Sequence, residues 1–287
     1  MSATDLVAID VHVHPKDEEW IKASGRRAEQ MAAYFGRENT PVSLDDLADQ
    51  YRARKMMAVL MNSTDVTTSG ITPVPNDRVA AAVRKHPDVF IGFGAIDPHQ
   101  GKIAQDEIRR MHEELGLRGI GELNPGRQAF YPNDERFYPL WEEAAKRGLV
   151  VLFHTGMMGA GAGTPGGLGF KLKYTRPIPY LDDVAADFPD LRIIAAHPAW
   201  PWQDEALAMA RHKSNVYLDL SGWAPKYFPE QLVQYANSIL QDRVLFGSDW
   251  PAIKVERWLE EFAALPLKPE VRPKIMLENA KKLFGLA

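Results

Sequence analysis

Eight short apolar segments, separated by amphipathic ones, are the feature that most restricts how this chain can fold. The apolar runs occupy positions 7–14, 55–62, 89–97, 117–124, 149–156, 192–199, 216–222 and 244–250. Near-continuous apolar runs of this length are typical of parallel strands that are buried on both faces. Helical patterns lie between them, as in "SLDDLADQYRARK", where Ser43 and Asp46 form a predicted capping box. A strand–helix unit repeated eight times predicts a (β/α)8 TIM barrel of the α/β class.

A doubly wound sheet is the alternative, but such sheets usually have fewer strands and a phosphate-binding turn after the first one. Here the first strand is followed by "HPKDEEW". The length of 287 residues suits one barrel domain over 1–287. The segment "PEVRPKIMLENAKKLFGL" is predicted to add a C-terminal helix. Two long connections, 15–43 and 157–180, are predicted to leave the C-terminal face, where barrel enzymes carry their sites.

Composition excludes several classes of protein. The net charge of −4 disfavours binding to nucleic acid or to an anionic membrane. The absence of cysteine removes disulfides, thiolate nucleophiles and cysteine-ligated zinc, and it agrees with a cytoplasmic location. The N-terminal stretch lacks the pattern of a secretory signal, and no apolar run approaches the ~18 residues of a membrane span.

Polar side chains interrupt the apolar runs near their C-terminal ends. They are His12, His14, Glu122, His154, His197 and Asp249. In a barrel these strand ends meet at one rim. Imidazoles and carboxylates that converge without cysteine predict a site for a first-row divalent metal at this C-terminal rim. Zinc is favoured, with manganese or iron as alternatives.

The first of these runs, "VAIDVHVHP", mixes apolar and ionisable residues in alternation. The alternation predicts that positions 7, 9, 11 and 13 pack outward beneath the helices, and that Asp10, His12 and His14 share the inward face. Asp10 lies deeper and is predicted to orient the histidines from behind. Asp219 is a weaker candidate for the same role.

The stretches "IDVHVHP", "FHTG", "AAHPAW" and "FGSDWP" together resemble the amidohydrolase superfamily. They are most similar to its amidohydrolase-2 branch, which includes aminocarboxymuconate-semialdehyde decarboxylase, and the resemblance spans nearly the whole chain. It implies that the metal ligands are His12, His14, His154 and Asp249. It makes His197 an unliganded or second-metal histidine.

Glu122 is a departure from that family's pattern. Two-metal members commonly carry a carboxylated lysine at the end of the fourth strand, where this chain has Glu122. One metal is therefore favoured and two are not excluded. Glu122 is either a metal ligand or a hydrogen-bonding residue of the rim.

The resemblance implies a metal-dependent enzyme for a small, unsaturated or aromatic carboxylate. A metal-activated water would attack the substrate. Asp249 and His197 are the predicted catalytic residues, Asp249 moving the proton and His197 polarising the substrate. Hydrolysis is the leading prediction. The alternatives are non-oxidative decarboxylation at the same site and a barrel that binds metal or ligand without turnover. By analogy with the family, a homodimer is expected.

Three residues are predicted to contact the substrate. Arg176 follows a glycine-rich loop after the fifth strand and could hold a carboxylate with both arms of its guanidinium. Trp200 and Trp250 follow strand ends and could wall a planar pocket. The competing interpretations are a solvated surface charge for Arg176 and packing beneath loops for the two tryptophans.

The G-x-G-x-x-G pattern at 161–166 is interpreted as an irregular loop rather than a dinucleotide site.

Overall fold

A computed structural model describes residues 6–286, so positions 1–5 and 287 of the predicted domain, and most of the stretch searched for a signal, lie outside it. Eight parallel strands follow one another in chain order. They are β1 Ala8–Val13, β2 Met56–Leu60, β3 Phe90–Gly94, β4 Gly119–Leu123, β5 Val150–His154, β6 Arg192–Ala196, β7 Val216–Asp219 and β8 Val244–Leu245. Val11 N donates to Phe246 O over 2.9 Å, and His14 N donates to Trp250 O over 2.8 Å, which joins the last strand to the first. The predicted (β/α)8 barrel is confirmed.

Helices surround the strands and cover their outer faces. They are α1 Glu18–Ser24, α2 Arg26–Tyr34, α3 Leu44–Ala53, α4 Val66–Ser69, α5 Asn76–Lys85, α6 Lys102–Glu113, α7 Pro125–Gln128, α8 Tyr138–Lys146, α9 Tyr180–Asp187, α10 Gln203–His212, α11 Glu230–Ala236, α12 Val255–Ala263, α13 Val271–Pro273 and α14 Asn279–Phe284, with a π-helical turn at Lys274–Glu278. The predicted capping box is confirmed, since Asp46 N donates to Ser43 Oγ over 3.0 Å. Within residues 6–286, no helix combines the length and apolar character that a membrane crossing requires.

The barrel interior is an apolar core that α14 closes at the N-terminal ends of the strands. Its members from the barrel are Ile9, Val11, Val59, Met61, Ile91, Phe93, Val150, Leu152, Ile194, Ala196, Tyr217 and Leu245. From α14, Leu283 and Phe284 pack against this set. A second and larger core lies between the outer faces of the strands and the helices. The predicted extra C-terminal helix is therefore confirmed, and it acts as the barrel's plug.

Strand β1 departs from the predicted alternation of faces. Its register against β2 shifts between Asp10 and Val13. Ile9 and Val11 belong to the interior core and Val13 to the outer one, while Tyr51 of α3 donates to Asp10 Oδ2 over 2.8 Å. The predicted outward placement of positions 9 and 11 and the inward placement of Asp10 are wrong, because the bulge breaks the two-residue period.

The two long connections form a roof over the C-terminal end of the barrel. The first contains α1 and α2, and the second follows β5. They meet where Gln30 Nε2 donates to Ala162 O over 2.9 Å and where Gly161 N donates to Gln30 Oε1 over 3.0 Å. Their predicted position at this face is confirmed.

Candidate active site

Six polar side chains predicted from the strand ends meet beneath the roof. They are His12, His14, Glu122, His154, His197 and Asp249. On one side, His12 Nε2 and His14 Nε2 are 3.1 Å apart. Asp249 Oδ1 lies 3.3 Å from His14 Nε2 and 3.5 Å from His12 Nε2. Two imidazoles and a carboxylate therefore direct their polar atoms at one point.

Glu122 lies between this group and a second pair of histidines. Its Oε1 is 2.7 Å from His154 Nδ1 and 3.7 Å from His197 Nε2, and its Oε2 is 3.8 Å from His14 Nε2. His154 Nδ1 and His197 Nε2 are 3.0 Å apart. Glu122 therefore belongs to both possible ligand groups, which are His12 with His14 and His154 with His197.

Asp219 and Ser221 support the histidines from behind. Asp219 Oδ2 lies 2.7 Å from His12 Nδ1, and Ser221 Oγ lies 3.0 Å from the same nitrogen and 2.9 Å from His197 Nδ1. Because Asp219 holds a proton on His12 Nδ1, Nε2 is the nitrogen that would bind a cation in exchange for its own proton. The sequence analysis ranked Asp219 below Asp10 and missed Ser221. The available signal was the i, i+2 spacing of "DLS" just beyond β7.

The Asp10 carboxylate accepts hydrogen bonds from backbone N–H groups and a hydroxyl, and it does not orient an imidazole ring as predicted. It accepts from Ser248 N over 2.9 Å, from Ser248 Oγ over 2.6 Å and from His12 N over 3.1 Å. These bonds fix the end of β1 against the segment that carries Asp249. Asp249 and His197 have φ values of 57° and 70°, in the left-handed region that non-glycine residues seldom adopt. Complete burial raises the pKa of Asp10 to about 6.

Mutual interactions keep the two carboxylates and His12 charged despite their burial, whereas burial and the neighbouring His197 lower the pKa of His154. Burial alone would raise the pKa of Glu122, but the hydrogen bonds from His154 and His197 outweigh it and hold that pKa well below its ordinary value. Burial would likewise raise the pKa of Asp249, but His14 and His12 outweigh this effect and lower that pKa. Burial opposes a charge on His12, yet Asp219 outweighs it and raises the pKa of His12 to about 9.

The donor atoms fit a divalent metal ion. Imidazole nitrogens and carboxylate oxygens without sulfur suit first-row divalent cations. Among the described residues, His154 Nε2 is buried and has no hydrogen-bond partner, so a polar atom is left for a group other than protein. His12 Nε2 and His14 Nε2 face each other at 3.1 Å, which also indicates a site for a cation. His12, His14 and Asp249 would hold the cation, with Glu122 and His154 at its other side.

A cavity of about 260 Å³ opens between the cluster and the roof. Its apolar lining includes Met31, Phe35, Met158 and Trp223. Its cationic lining includes Lys16, Arg27, Arg37 and Arg127. The volume falls just below the ~300 Å³ at which drug-sized sites begin, so a small, flat anion suits it.

The three predicted substrate contacts lie away from this lining. Arg176 is paired with Glu205, with 2.6 Å between Nη2 and Oε1, and its side chain is half exposed. Trp200 is 46% exposed, and Trp250 packs against the outer core. Trp20 and Trp223 are the tryptophans that line the cavity. The sequence analysis missed Arg27 and Arg127, because neither follows directly on a predicted strand.

Comparisons with known proteins agree with this architecture. A family model described as amidohydrolase matches residues 9–286. A gamma-resorcylate decarboxylase of Polaromonas sp. (strain JS666 / ATCC BAA-500) is 26% identical over 247 residues, which are 74% of this chain and 75% of that protein. An uncharacterised TIM-barrel protein of Bordetella bronchiseptica, Bb4693, is 27% identical and superposes with a TM-score of 0.79 over 97% of this chain and 98% of that one. A dihydroxybenzoic acid decarboxylase of Polaromonas sp. JS666, solved with manganese and 2-nitroresorcinol, has a TM-score of 0.65 at 19% identity, covering 98% of this chain and 97% of that one.

Proposed function

The chain belongs to the amidohydrolase family of metal-dependent enzymes, and from that premise we propose that it removes CO₂ from a small aromatic or unsaturated carboxylic acid without oxidation. The observation that carries the proposal is the position of Asp249 and His14, both in contact distance of the buried His12, at the floor of a small cavity whose wall is part apolar and part cationic. Such a cavity would hold a planar acid with its carboxylate toward the cluster.

The sequence analysis placed hydrolysis first, and the comparisons favour its alternative. The gamma-resorcylate decarboxylase matches three quarters of the chain, and its name describes carboxylate removal. Hydrolysis and decarboxylation would use the same floor residues, so the name of that relative is the reason for preferring decarboxylation. Lactone hydrolysis therefore remains the comparison reaction in the test.

The proposed reaction breaks the bond between the carboxylate and the ring carbon. The electron pair stays on that carbon, CO₂ leaves, and a proton takes its place, so no oxidant is needed. A divalent cation bound at the floor would act as a Lewis acid toward the oxygen atoms of the substrate.

The protein's own groups would position the acid and supply the proton. Asp249 and Glu122 are the cluster carboxylates that line the cavity, and Glu122 is bonded to His154, so Asp249 is the one placed to carry a proton to the ring carbon. His197 lines the same cavity; burial alone would lower its pKa, but Glu122 and then Asp249 raise it and so favour its positive charge. The apolar wall formed by Met31, Phe35 and Trp223 would exclude water from the developing carbanion.

The test measures CO₂ release by protein that is stripped with chelator and reloaded separately with Mn²⁺ or Zn²⁺. A set of hydroxybenzoates and unsaturated acids is run beside a set of aromatic lactones. We expect CO₂ from at least one acid, dependence on the metal, and little lactone opening.

Asp249→Asn is expected to abolish the CO₂ release. The matched control is Asp134→Asn, which changes a partly exposed aspartate that pairs with Arg136 outside the cavity. Lactone opening without CO₂ release would refute the proposal in favour of hydrolysis. Full CO₂ release by Asp249→Asn would refute the role of that residue.

A further inference from the structure

Arg27 and Arg127 share one buried carboxylate at the cavity wall. Arg27, on the roof helix α2, donates through Nη1 to Asp65 Oδ2. Arg127, in α7 directly after β4, donates through Nε to the same oxygen over 3.2 Å. The exposed fractions of the three side chains are 18% for Arg27, 10% for Arg127 and 4% for Asp65. Two guanidinium groups therefore meet one carboxylate out of solvent.

This arrangement leaves one positive charge without a counter-ion. Asp65 is the one carboxylate to which the described residues join either arginine. The other polar partner is Ser63 Oγ, 3.4 Å from Arg127 Nη2, and a hydroxyl carries no charge. An unpaired buried cation is costly unless something compensates it. Burial and the neighbouring Arg127 lower the pKa of Arg27 to about 10 in spite of Asp65, as expected for an excess of positive charge.

The open side of the pair faces the cavity. Arg27, Arg127 and Ser63 all contribute to its lining, whereas Asp65 lies behind them. The other two cations of the cavity, Lys16 and Arg37, each donate to a backbone carbonyl and do not meet on a shared buried carboxylate. Lys16 Nζ donates to Glu38 O over 2.9 Å, and Arg37 donates to Pro251 O and lies near the carboxylate of Asp249.

We propose that Arg27 and Arg127 form an anion subsite for a second acidic group of the substrate, and that the substrate is therefore a dicarboxylate. The inference rests on the proposed function only in taking the first carboxylate to face the cluster at the floor. The cluster is built from the ends of β1, β4, β5, β6 and β8, whereas the subsite is built from α2 and the connections after β2 and β4. A ring that carries carboxylates at two positions can place one carboxylate at the cluster and the other at the arginine pair. Asp65 is a positioning residue that holds the two guanidinium groups side by side.

Binding of isophthalate and of benzoate, measured by isothermal titration calorimetry, tests the subsite directly. The two probes share a ring and one carboxylate and differ in the second. Wild type is titrated both metal-loaded and after chelator treatment, since the arginine pair needs no metal. We expect isophthalate to bind more tightly than benzoate by about 10- to 100-fold, the usual effect of charge-assisted hydrogen bonds.

Four variants separate the subsite from a structural effect. Arg127→Gln and Arg27→Gln are expected to remove the preference for isophthalate while binding benzoate as wild type does. Arg127→Lys keeps the charge without the planar fork and should retain part of the preference. Arg136→Gln, the control, removes an exposed arginine that pairs with Asp134. Melting temperatures verify that each variant is folded.

The outcomes distinguish this inference from the proposed function. Equal affinity of wild type for the two probes, or an unchanged preference in Arg127→Gln and Arg27→Gln, overturns the subsite even if CO₂ is released from monocarboxylates. A preference that is lost in those variants supports the subsite even if no acid loses CO₂. If Arg127→Gln does not fold, Arg27→Gln on the roof helix decides the question.

Discussion

Replacement of Asp219 by asparagine should weaken metal binding because it disturbs the proton on His12. Asp219 is completely buried and accepts three hydrogen bonds. His12 Nδ1 at 2.7 Å and Ser221 Oγ at 2.7 Å bond Oδ2, and Ser221 N at 2.9 Å bonds Oδ1. An asparagine offers one oxygen and one NH₂ group, so it cannot accept on both sides.

Both orientations of the asparagine carry a penalty. If its NH₂ group faces His12, Nδ1 must accept, the proton moves to Nε2, and the lone pair directed at the cluster is lost. If the NH₂ group faces Ser221 N, two buried donors oppose each other, which costs about 1–3 kcal/mol of folding free energy. We expect metal affinity to fall roughly 10- to 100-fold, as for other residues that orient a ligating histidine.

The assay is competition between chelator-stripped protein and a metal buffer, with bound Mn²⁺ or Zn²⁺ counted by mass spectrometry. Urea unfolding of the metal-free protein gives the stability of each variant. Asp97→Asn is the matched control: Asp97 is also buried and accepts from His99 N over 3.0 Å and Thr67 N over 2.7 Å, outside the cluster. Metal affinity that is equal in Asp219→Asn and wild type, with stability reduced as in Asp97→Asn, would show that Asp219 is only structural.

Three further predictions address catalysis, charge and packing. Asp249→Asn should lower the rate of CO₂ release by about 100-fold or more while the circular dichroism spectrum stays unchanged; a smaller loss would assign the proton to another group. Burial alone would raise the pKa of Asp65, but Arg127 and Arg27 hold it below the ordinary value. Its stabilisation is therefore complete above about pH 4 and lost as the pH falls through the lowered pKa, so Asp65→Asn should be less stable at pH 7 and show a shallower loss of unfolding free energy on acidification. Leu283→Ala in the barrel plug should cost about 2–5 kcal/mol in urea unfolding with unchanged metal content, and a fall in metal content would contradict the separation of plug from site.

The parts of the molecule that could be predicted are those that depend on local pattern. A strand buried on both faces must be apolar along its whole length, so the eight runs marked the eight strands. The six polar residues of the cluster were predicted to meet because each interrupts an apolar run near its C-terminal end, and because the barrel topology brings every strand end to one rim. Those two facts placed His12, His154 and Asp249 together without any knowledge of side-chain contacts.

The parts that could not be predicted depend on contacts between distant residues. The bulge in β1 is set by pairing with β2 and β8, and it turns Asp10 toward Tyr51 on α3 instead of toward the site. The approach of Asp219 to His12 joins positions 207 residues apart. Asn76, the first residue of α5, accepts through its buried Oδ1 from Ala95 N over 2.7 Å and from Asn62 Nδ2 over 2.9 Å, contacts that no local pattern indicates.

The division between plug and roof indicates where this protein can change its substrate without losing its fold. Leu283 and Phe284 are buried in the barrel core, so their substitution affects the free energy of unfolding. The roof helix α2 has no fully buried side chain, and Met31 lies over the cavity. Surface-type substitutions usually alter stability by no more than about 0.5 kcal/mol. Changes at the exposed positions of α2 should therefore act on substrate binding far more than on stability, whereas changes in the plug should do the reverse.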